Sequence, residues 1–160
     1  MAKKVKIKKT LVEQILSKAG VPHQGIQINA LEGELPQGYE RDQIFKTLAL
    51  LGDKTGPIIG IVPITQHLAE KKLAKISGNK KVSMIPQKDL EKTTGYIHGA
   101  NNPVGIRQKH NYPIFIDKIA LDLDQMIVSA GEVGHSIIVV PQDLASFVKA
   151  DFADILEDSK

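Results

Sequence analysis

Cysteine is absent from the 160-residue sequence, and so is tryptophan. The lack of cysteine excludes disulfides, a thiolate nucleophile and every metal site built on cysteine. It also suits a reducing compartment. The five histidines are scattered, without a His-Glu-x-x-His or similar spacing, so we expect neither a metal nor another cofactor.

Long apolar runs are missing as well. No segment approaches the roughly 20 apolar residues that a membrane-spanning helix needs. The basic start "MAKKVKIKKT" does not lead into the apolar core of a secretory signal. We therefore expect a cytoplasmic protein with no membrane partner.

The length predicts one domain over residues 1–160. The net charge of +3 is too small to indicate a nucleic-acid-binding protein by itself. The lysines are clustered, however, whereas acidic residues collect in "DFADILEDSK". One positive face could bind a phosphate backbone, or the lysines could simply be solvated surface. The clusters comprise Lys3, Lys4, Lys6, Lys8 and Lys9, then Lys71, Lys72 and Lys75, then Lys80 and Lys81.

Helical signals occur in the first half of the chain. A capping box of Thr10 and Glu13 starts a helix that Gly20 ends. A second helix is predicted from an N-cap at Thr65 to Gly78, with Leu68, Leu73 and Ile76 facing inward. Between the two helices, "IFKTLALL" and "IIGIVPI" are typical of a hairpin of buried strands.

The second half mixes strands and helices in the same way. "KVSMI" predicts a strand, and Pro86 and Gly95 bound a helix. "GYIHGANNPVGI" is expected to begin as a strand and break into a loop, before strands in "YPIFID", "QMIVSAG" and "SIIVV". A last helix is predicted from Pro141 to Leu156. This order favours an α+β fold with a mixed or largely antiparallel sheet.

Lys46 is the first candidate for chemistry. Strand alternation places it on the same face as Ile44, Leu48 and Leu50, which is unusual for an ammonium group. Burial would lower its pKa, and such a lysine can bind a phosphate or polarise a carbonyl. It could instead extend from the end of the strand to water.

The second candidate is the segment from Gly99 through Ala100 and Asn101 to Pro103. Gly99 would permit a positive φ or the close approach of a ligand, and Pro103 would fix the end of the loop. Backbone groups held in this way can hydrogen-bond a ligand. A tight connection between strands is the alternative.

A third glycine-rich segment, "VSAGEVG", contains Ser129 but lacks a Gly-x-Ser-x-Gly elbow, so it could also be a plain turn. Asp122 and Asp124 are the nearest carboxylate pair and are better explained as surface residues. A site without a strong base fits a labile substrate such as an aminoacyl ester, which needs mainly positioning and oxyanion stabilisation.

The chain resembles the YbaK family of free-standing aminoacyl-tRNA deacylases, relatives of the prolyl-tRNA synthetase editing domain. The motifs that carry the resemblance are "DQIFKTLAL", "KKLAKISGNKKV", "TTGYIHGANNPVGI", "MIVSAG" and "PQDLASFVKADFADI". The resemblance implies a twisted, barrel-like sheet flanked by helices. It also implies hydrolysis of a mischarged tRNA, most often cysteinyl-tRNA(Pro), with the cysteine thiol attacking its own carbonyl.

The family's lysine corresponds to Lys46, and its Gly-x-x-x-Pro loop to Gly99–Pro103. Ser129 and Gly131 correspond to residues that line the pocket, and we add Thr47 and Ser136 to the predicted substrate-binding residues.

Two departures leave the amino-acid specificity open. Many relatives have Asp where this chain has Ser136, and a Tyr in the segment that here reads "HQGIQIN". A synthetase such as prolyl-tRNA synthetase could recruit the tRNA. The alternative to an enzyme is a module of the same fold that binds a nucleotide or a tRNA end without turnover.

Overall fold

The structure, a computed structural model, describes residues 9–158 except for the side chain of Leu31. It confirms the α+β class. The helices are α1 (Leu11–Ala19), α2 (Glu70–Ser77), α3 (Gln87–Thr94), α4 (Pro103–Lys109) and α5 (Pro141–Val148). The strands are β1 (His23–Ile26), β2 (Phe45–Gly52), β3 (Gly56–Pro63), β4 (Val82–Met84), β5 (Ile114–Asp117), β6 (Met126–Ser129), β7 (Ser136–Val139) and β8 (Asp151–Ala153).

The larger sheet has five strands in the order β4-β2-β3-β5-β8. The predicted hairpin is confirmed, because β2 and β3 pair in antiparallel register along their whole length. The pairs β3–β5 and β5–β8 are parallel, so the sheet is mixed. Every residue of β5 is buried, as expected for a strand between two parallel neighbours.

The smaller sheet has the order β1-β7-β6 and is antiparallel throughout. A single bridge between Ile44 and Ile127 connects it to the start of β2. The two sheets do not close into a barrel, so the barrel-like expectation is corrected to two separate sheets. Apolar packing rather than a continuous ladder joins them, since Phe45 of one sheet and Met126 of the other belong to the same buried cluster.

The first helix forms largely as predicted. Thr10 Oγ1 accepts a hydrogen bond from the Glu13 backbone N–H at 3.2 Å, and Gly20 ends the helix with a φ of 74°. The reciprocal bond of the capping box, from the Thr10 backbone N–H to the Glu13 carboxylate, is not formed within the described residues. Val12 and Leu16 bury the apolar face of α1.

The second helix is shorter than predicted. It begins at Glu70, because Thr65 donates its hydroxyl hydrogen to Asp42 Oδ1 at 2.7 Å instead of capping a helix. Leu68 lies outside the helix and forms a β-bridge with Leu156. The expectation that Ile76 faces inward was wrong, as 42% of it is exposed.

Two further expectations are corrected. The last helix ends at Val148, where Lys149 takes a left-handed φ of 57°, and the chain continues as β8 beside β5. The segment that starts at Gly95 is a turn rather than a strand, and Pro103 is the first residue of α4.

Within residues 9–158, no helix is long and apolar enough to cross a membrane.

One edge of β2 remains partly open. Strand β4 pairs only with Leu50–Gly52, and the ladder contact extends one residue further through a bond from Ile85 N–H to the Ala49 carbonyl. The preceding residues of β2 therefore lack a neighbouring strand on that side apart from the bridge at Ile44. Side chains from both faces of the strand can reach the space beside this edge.

Candidate functional site

A cavity of about 510 Å³ lies beside the open edge of β2, and we call it the edge pocket. Four of the predicted site residues line it, namely Lys46, Thr47, Gly99 and Asn101. Two segments far apart in the sequence therefore meet at one site. The other lining residues are Asn29, Glu32, Leu48, Ala49, Ile64, Met84, Ile85, Gln87, Leu90, His98 and Val133.

Lys46 is half-buried, and burial lowers its pKa from the ordinary value of 10.5 because desolvation disfavours the ammonium form. The ion pairs within residues 9–158 involve Lys72 and Lys92 but not Lys46. The neighbours expected on its face of the strand, Leu48 and Leu50, pack in an apolar cluster. Its ammonium group is thus available to an anionic or carbonyl ligand in the pocket.

Thr47 carries a polar atom that the fold does not satisfy. Only 7% of this residue is exposed, and its Oγ1 is buried without a hydrogen-bond partner within the described residues. Leaving such a group unpaired costs about 1–3 kcal/mol. Because Thr47 lines the edge pocket, rotation of its side chain can bring this hydroxyl to a bound ligand that supplies the missing partner.

The main chain of Thr47 is oriented toward the same open edge. Backbone N–H and C=O groups alternate between the two sides of a strand. The Ala49 carbonyl points toward β4, where it accepts the Ile85 N–H. By alternation, the N–H and C=O of Thr47 also point away from β3 and toward the pocket.

The loop from Gly99 to Pro103 has the conformation that glycine was expected to provide. Gly99 has a φ of 88°, in the left-handed region that side chains disfavour. A Cβ placed there would come only within 3.5 Å of Val133 Cγ2, so backbone strain rather than a clash explains the need for glycine.

Buried amide side chains hold this loop in place. Asn101 Oδ1 accepts the hydroxyl hydrogen of Thr94 at 2.8 Å. Asn102 Oδ1 accepts the Gly105 N–H at 2.6 Å and caps α4, while its Nδ2 donates to the Ala100 carbonyl at 3.0 Å. Of the apolar residues that flank the loop, Val104 and Ile106 are buried, whereas Ile97 is 51% exposed.

Not all of the loop backbone can serve a ligand. The Ala100 N–H already donates to the Ile97 carbonyl at 3.0 Å, and Ala100 itself is buried outside the pocket lining. Pro103 is also buried and starts α4. The part of the loop that lines the edge pocket is therefore Gly99 and Asn101.

Ser129, Gly131 and Ser136 do not line the edge pocket. Ser129 Oγ accepts the Gly131 N–H at 3.1 Å, and a Cβ on Gly131 would lie 3.3 Å from Asn102 Nδ2. This turn thus packs behind the loop that contains Asn102. Ser136 donates its hydroxyl hydrogen to the Ile28 carbonyl at 2.9 Å. Direct contact of these three residues with a substrate stays a prediction.

Sequence reasoning missed most of the pocket rim. His98 directly precedes Gly99, so its position beside the loop could have been inferred. Asn29, Glu32, Met84 and Gln87 come from separate segments, and no local pattern places them near Lys46. Only the folded chain brings them together.

A second cavity of about 880 Å³ adjoins the first, and we call it the open groove. Lys46, Leu48 and Met84 line both. The groove continues along the start of α2 and the end of the described chain, where it is lined by His67, Leu68, Ala69, Glu70, Lys71, Lys72, Glu157 and Asp158.

No group of three or more His, Cys, Asp or Glu residues that could hold a metal ion occurs in the part of the chain that the structure describes. Asp122 ends a short 3₁₀ turn, and neither it nor Asp124 lines the edge pocket. The chemistry available in the edge pocket comes from a half-buried ammonium group, the Glu32 carboxylate, the His98 imidazole, an unsatisfied hydroxyl and backbone dipoles.

Comparison with known proteins shows the family of the chain. Residues 33–147 match the family model described as the aminoacyl-tRNA editing domain. A protein of Enterococcus faecalis (strain ATCC 700802 / V583), named "Putative Cys-tRNA(Pro)/Cys-tRNA(Cys) deacylase EbsC", is 39% identical over 97% of this chain and 98% of its own.

Solved structures show the same fold at lower identity. A "putative trans-editing enzyme for prolyl tRNA synthetase" superposes with a TM-score of 0.79 at 23% identity, covering 92% of this chain and 95% of the other. A scaffold protein used for grafting linear epitopes gives a TM-score of 0.79 at 24% identity, covering 92% and 96%. The expected resemblance to aminoacyl-tRNA deacylases is confirmed, and the chain belongs to the aminoacyl-tRNA editing domain family.

Proposed function

We propose that this chain is a trans-editing hydrolase that cleaves the ester bond of cysteinyl-tRNA(Pro). The observation that carries the proposal is that Lys46, Gly99 and Thr47, whose hydroxyl is unsatisfied, line one pocket. The name of the Enterococcus faecalis relative, which includes Cys-tRNA(Pro), supports this choice of substrate.

In this proposal, the pocket acts by positioning the aminoacyl ester and by stabilising negative charge, without general acid–base catalysis by the protein. Lys46 can stabilise negative charge on the carbonyl oxygen or on the terminal phosphate, and low solvation strengthens that interaction. Thr47 and the Gly99 turn would fix the ester and the terminal ribose. An activated ester needs little more than this.

The cysteine of the substrate supplies the nucleophile that the chain lacks. Its sulfur attacks its own carbonyl carbon, and the bond to the ribose oxygen breaks. The thiol proton passes to that oxygen, so the products are a tRNA with a free hydroxyl and a cysteine thiolactone. This route releases the amino acid without a nucleophile from the protein.

Recruitment of the tRNA by prolyl-tRNA synthetase completes the proposal. The edge pocket contains one lysine, one glutamate, one histidine and a few amides, so it offers few groups that could read the bases of a particular tRNA. A synthetase that already holds tRNA(Pro) would provide this selection.

Deacylation assays with a panel of charged tRNAs test the function. We expect rapid release from cysteinyl-tRNA(Pro) and slow release from alanyl-tRNA(Pro), which has no thiol. Comparison with cysteinyl-tRNA(Cys), with and without prolyl-tRNA synthetase, measures tRNA selection. Binding of the tRNA end without any hydrolysis would instead support the non-catalytic module of the same fold.

A further inference from the structure

The edge pocket contains two opposite charges that the fold leaves apart. Among the described residues that line it, Glu32 is the only carboxylate and Lys46 the only lysine. The two do not form an ion pair, and Glu32 takes no part in the ion pairs within residues 9–158. A cavity with an unpaired group of each sign is complementary to a ligand that also carries both charges.

The position of Glu32 is set by a well-anchored turn. The 3₁₀ turn Ala30–Glu32 is held at one end by Ala30, which packs in a buried cluster with Ile44 and Ile127. The Glu32 N–H donates to the Asn29 carbonyl at 3.1 Å. The Asn29 N–H in turn donates to Glu34 Oε2 at 3.1 Å, so the carboxylate of Glu34 already has a partner within the turn. Glu34 is thus committed to the turn, whereas Glu32 is exposed at the pocket.

The substrate class proposed above has one cationic group close to the reacting ester, the α-ammonium of the amino acid. We infer that Glu32 is the specificity residue that binds this ammonium group while Lys46 faces the carbonyl oxygen or the phosphate. The inference rests on the proposed function. The pocket then selects esters with a free amine and disfavours those whose amine is blocked or missing.

A substrate without the amine tests this assignment. Cysteinyl-tRNA(Pro) and 3-mercaptopropionyl-tRNA(Pro) share the thiol, the ester and the tRNA, and differ only in the α-amine. Their kcat/KM ratio is measured near pH ~6.5, where an α-amine is largely protonated. Because intrinsic ester reactivity is the same for every protein variant, the change in this ratio between variants reports the contact alone.

The variant is Glu32→Gln, and the matched control is Glu132→Gln. Glu132 is exposed and precedes Val133 on the rim, but it does not line the edge pocket. We expect Glu32→Gln to reduce the preference for the free amine about 1.4- to 5-fold, as for a solvent-exposed ion pair. Glu132→Gln should keep the parent preference.

The outcomes separate the two proposals. If the parent hydrolyses cysteinyl-tRNA(Pro) and Glu32→Gln keeps the parent ratio, the role of Glu32 is overturned and the proposed function stands. If the parent hydrolyses neither ester, both proposals fail. Melting temperatures of both variants show whether any loss of activity comes from unfolding.

Discussion

The edge pocket and the open groove share Lys46, yet they differ in whether their polar side chains have partners within the chain. In the groove, Lys72 contacts Asp154 at 3.2 Å and Asp158 at 2.7 Å, so its charge is neutralised within the chain. In the pocket, Lys46 has no ion-pair partner among residues 9–158, and the Thr47 hydroxyl has no hydrogen bond. The fold thus neutralises Lys72 within the chain and leaves Lys46 and the Thr47 hydroxyl to a ligand.

The largest effect should come from Lys46→Ala. Loss of a charge-assisted hydrogen bond of about 1.5–3 kcal/mol predicts a fall in deacylation rate of roughly 10- to 150-fold. Burial lowers the pKa of Lys46, so its protonated form destabilises the folded state at every pH below that pKa. The variant should therefore lose no thermal stability at neutral pH.

Lys71→Ala is the control, because Lys71 lines the open groove but not the edge pocket. Its activity should stay near that of the parent. An active Lys46→Ala protein with a normal melting temperature would show that the unpaired ammonium group has no role in the reaction.

The next effect should come from the loop, where Gly99→Val and Asn101→Ala separate two roles. A β-branched residue at a φ of 88° is strained, by about 1–3 kcal/mol, so the turn should shift at the pocket. Asn101→Ala removes a buried hydrogen bond to Thr94, worth about 0.5–1.5 kcal/mol. We expect Gly99→Val to lower the rate per folded molecule more than Asn101→Ala does.

Deacylation rate and melting temperature are measured on both variants. Equal activity per folded molecule in the parent and in Gly99→Val would mean that this loop is only a connection. The Asn101 side chain also has a structural role that its loop position did not reveal, so its replacement should lower the melting temperature.

The sequence predicted the parts of this site that depend on local pattern. Strand alternation placed Lys46 beside Leu48, and composition indicated a positive φ at Gly99, which is observed. Long-range bonds decided the rest. Thr65 bonds to Asp42, and the backbone of β8 pairs with β5, so two predicted helices were too long.

The unsatisfied hydroxyl of Thr47 could not be predicted in this way. It depends on which side chains surround Thr47 in the folded chain, and none of those described bonds to its Oγ1. The pocket rim likewise combines separate segments, including the Ala30–Glu32 turn, that approach each other only in the folded chain.

A smaller effect on activity is expected for Thr47→Val, which keeps the shape of the side chain and removes the hydroxyl. Because Thr47 Oγ1 has no partner in the described structure, its removal should keep or raise the melting temperature. A substrate bond of about 0.5–1.5 kcal/mol predicts a two- to twelvefold lower kcat/KM. If Thr47→Val lowered the melting temperature and left kcat/KM unchanged, the Thr47 hydroxyl would have a partner within the protein and not in the ligand.

The smallest effect should follow Lys72→Ala in the open groove. Asp158 raises the pKa of Lys72 through a side-chain hydrogen bond, aided by Asp154, and Lys72 in turn lowers the pKa of Asp158. Because the pKa of Lys72 is raised, the ion pair stabilises the fold at pH values below 10.5. This stabilisation is lost as the pH rises through the pKa of Lys72 in the folded protein. Because the pKa of Asp158 is lowered, the ion pair also stabilises the fold at pH values above 3.8. This stabilisation is lost as the pH falls through the pKa of Asp158 in the folded protein.

The pair is exposed, so salt should screen it, and the melting temperatures of parent and Lys72→Ala should converge at high ionic strength and at both pH extremes. Deacylation should stay at the parent level throughout, since this charge is already neutralised within the chain. A large loss of deacylation in Lys72→Ala at neutral pH would show that the groove, like the pocket, keeps a charge for the substrate.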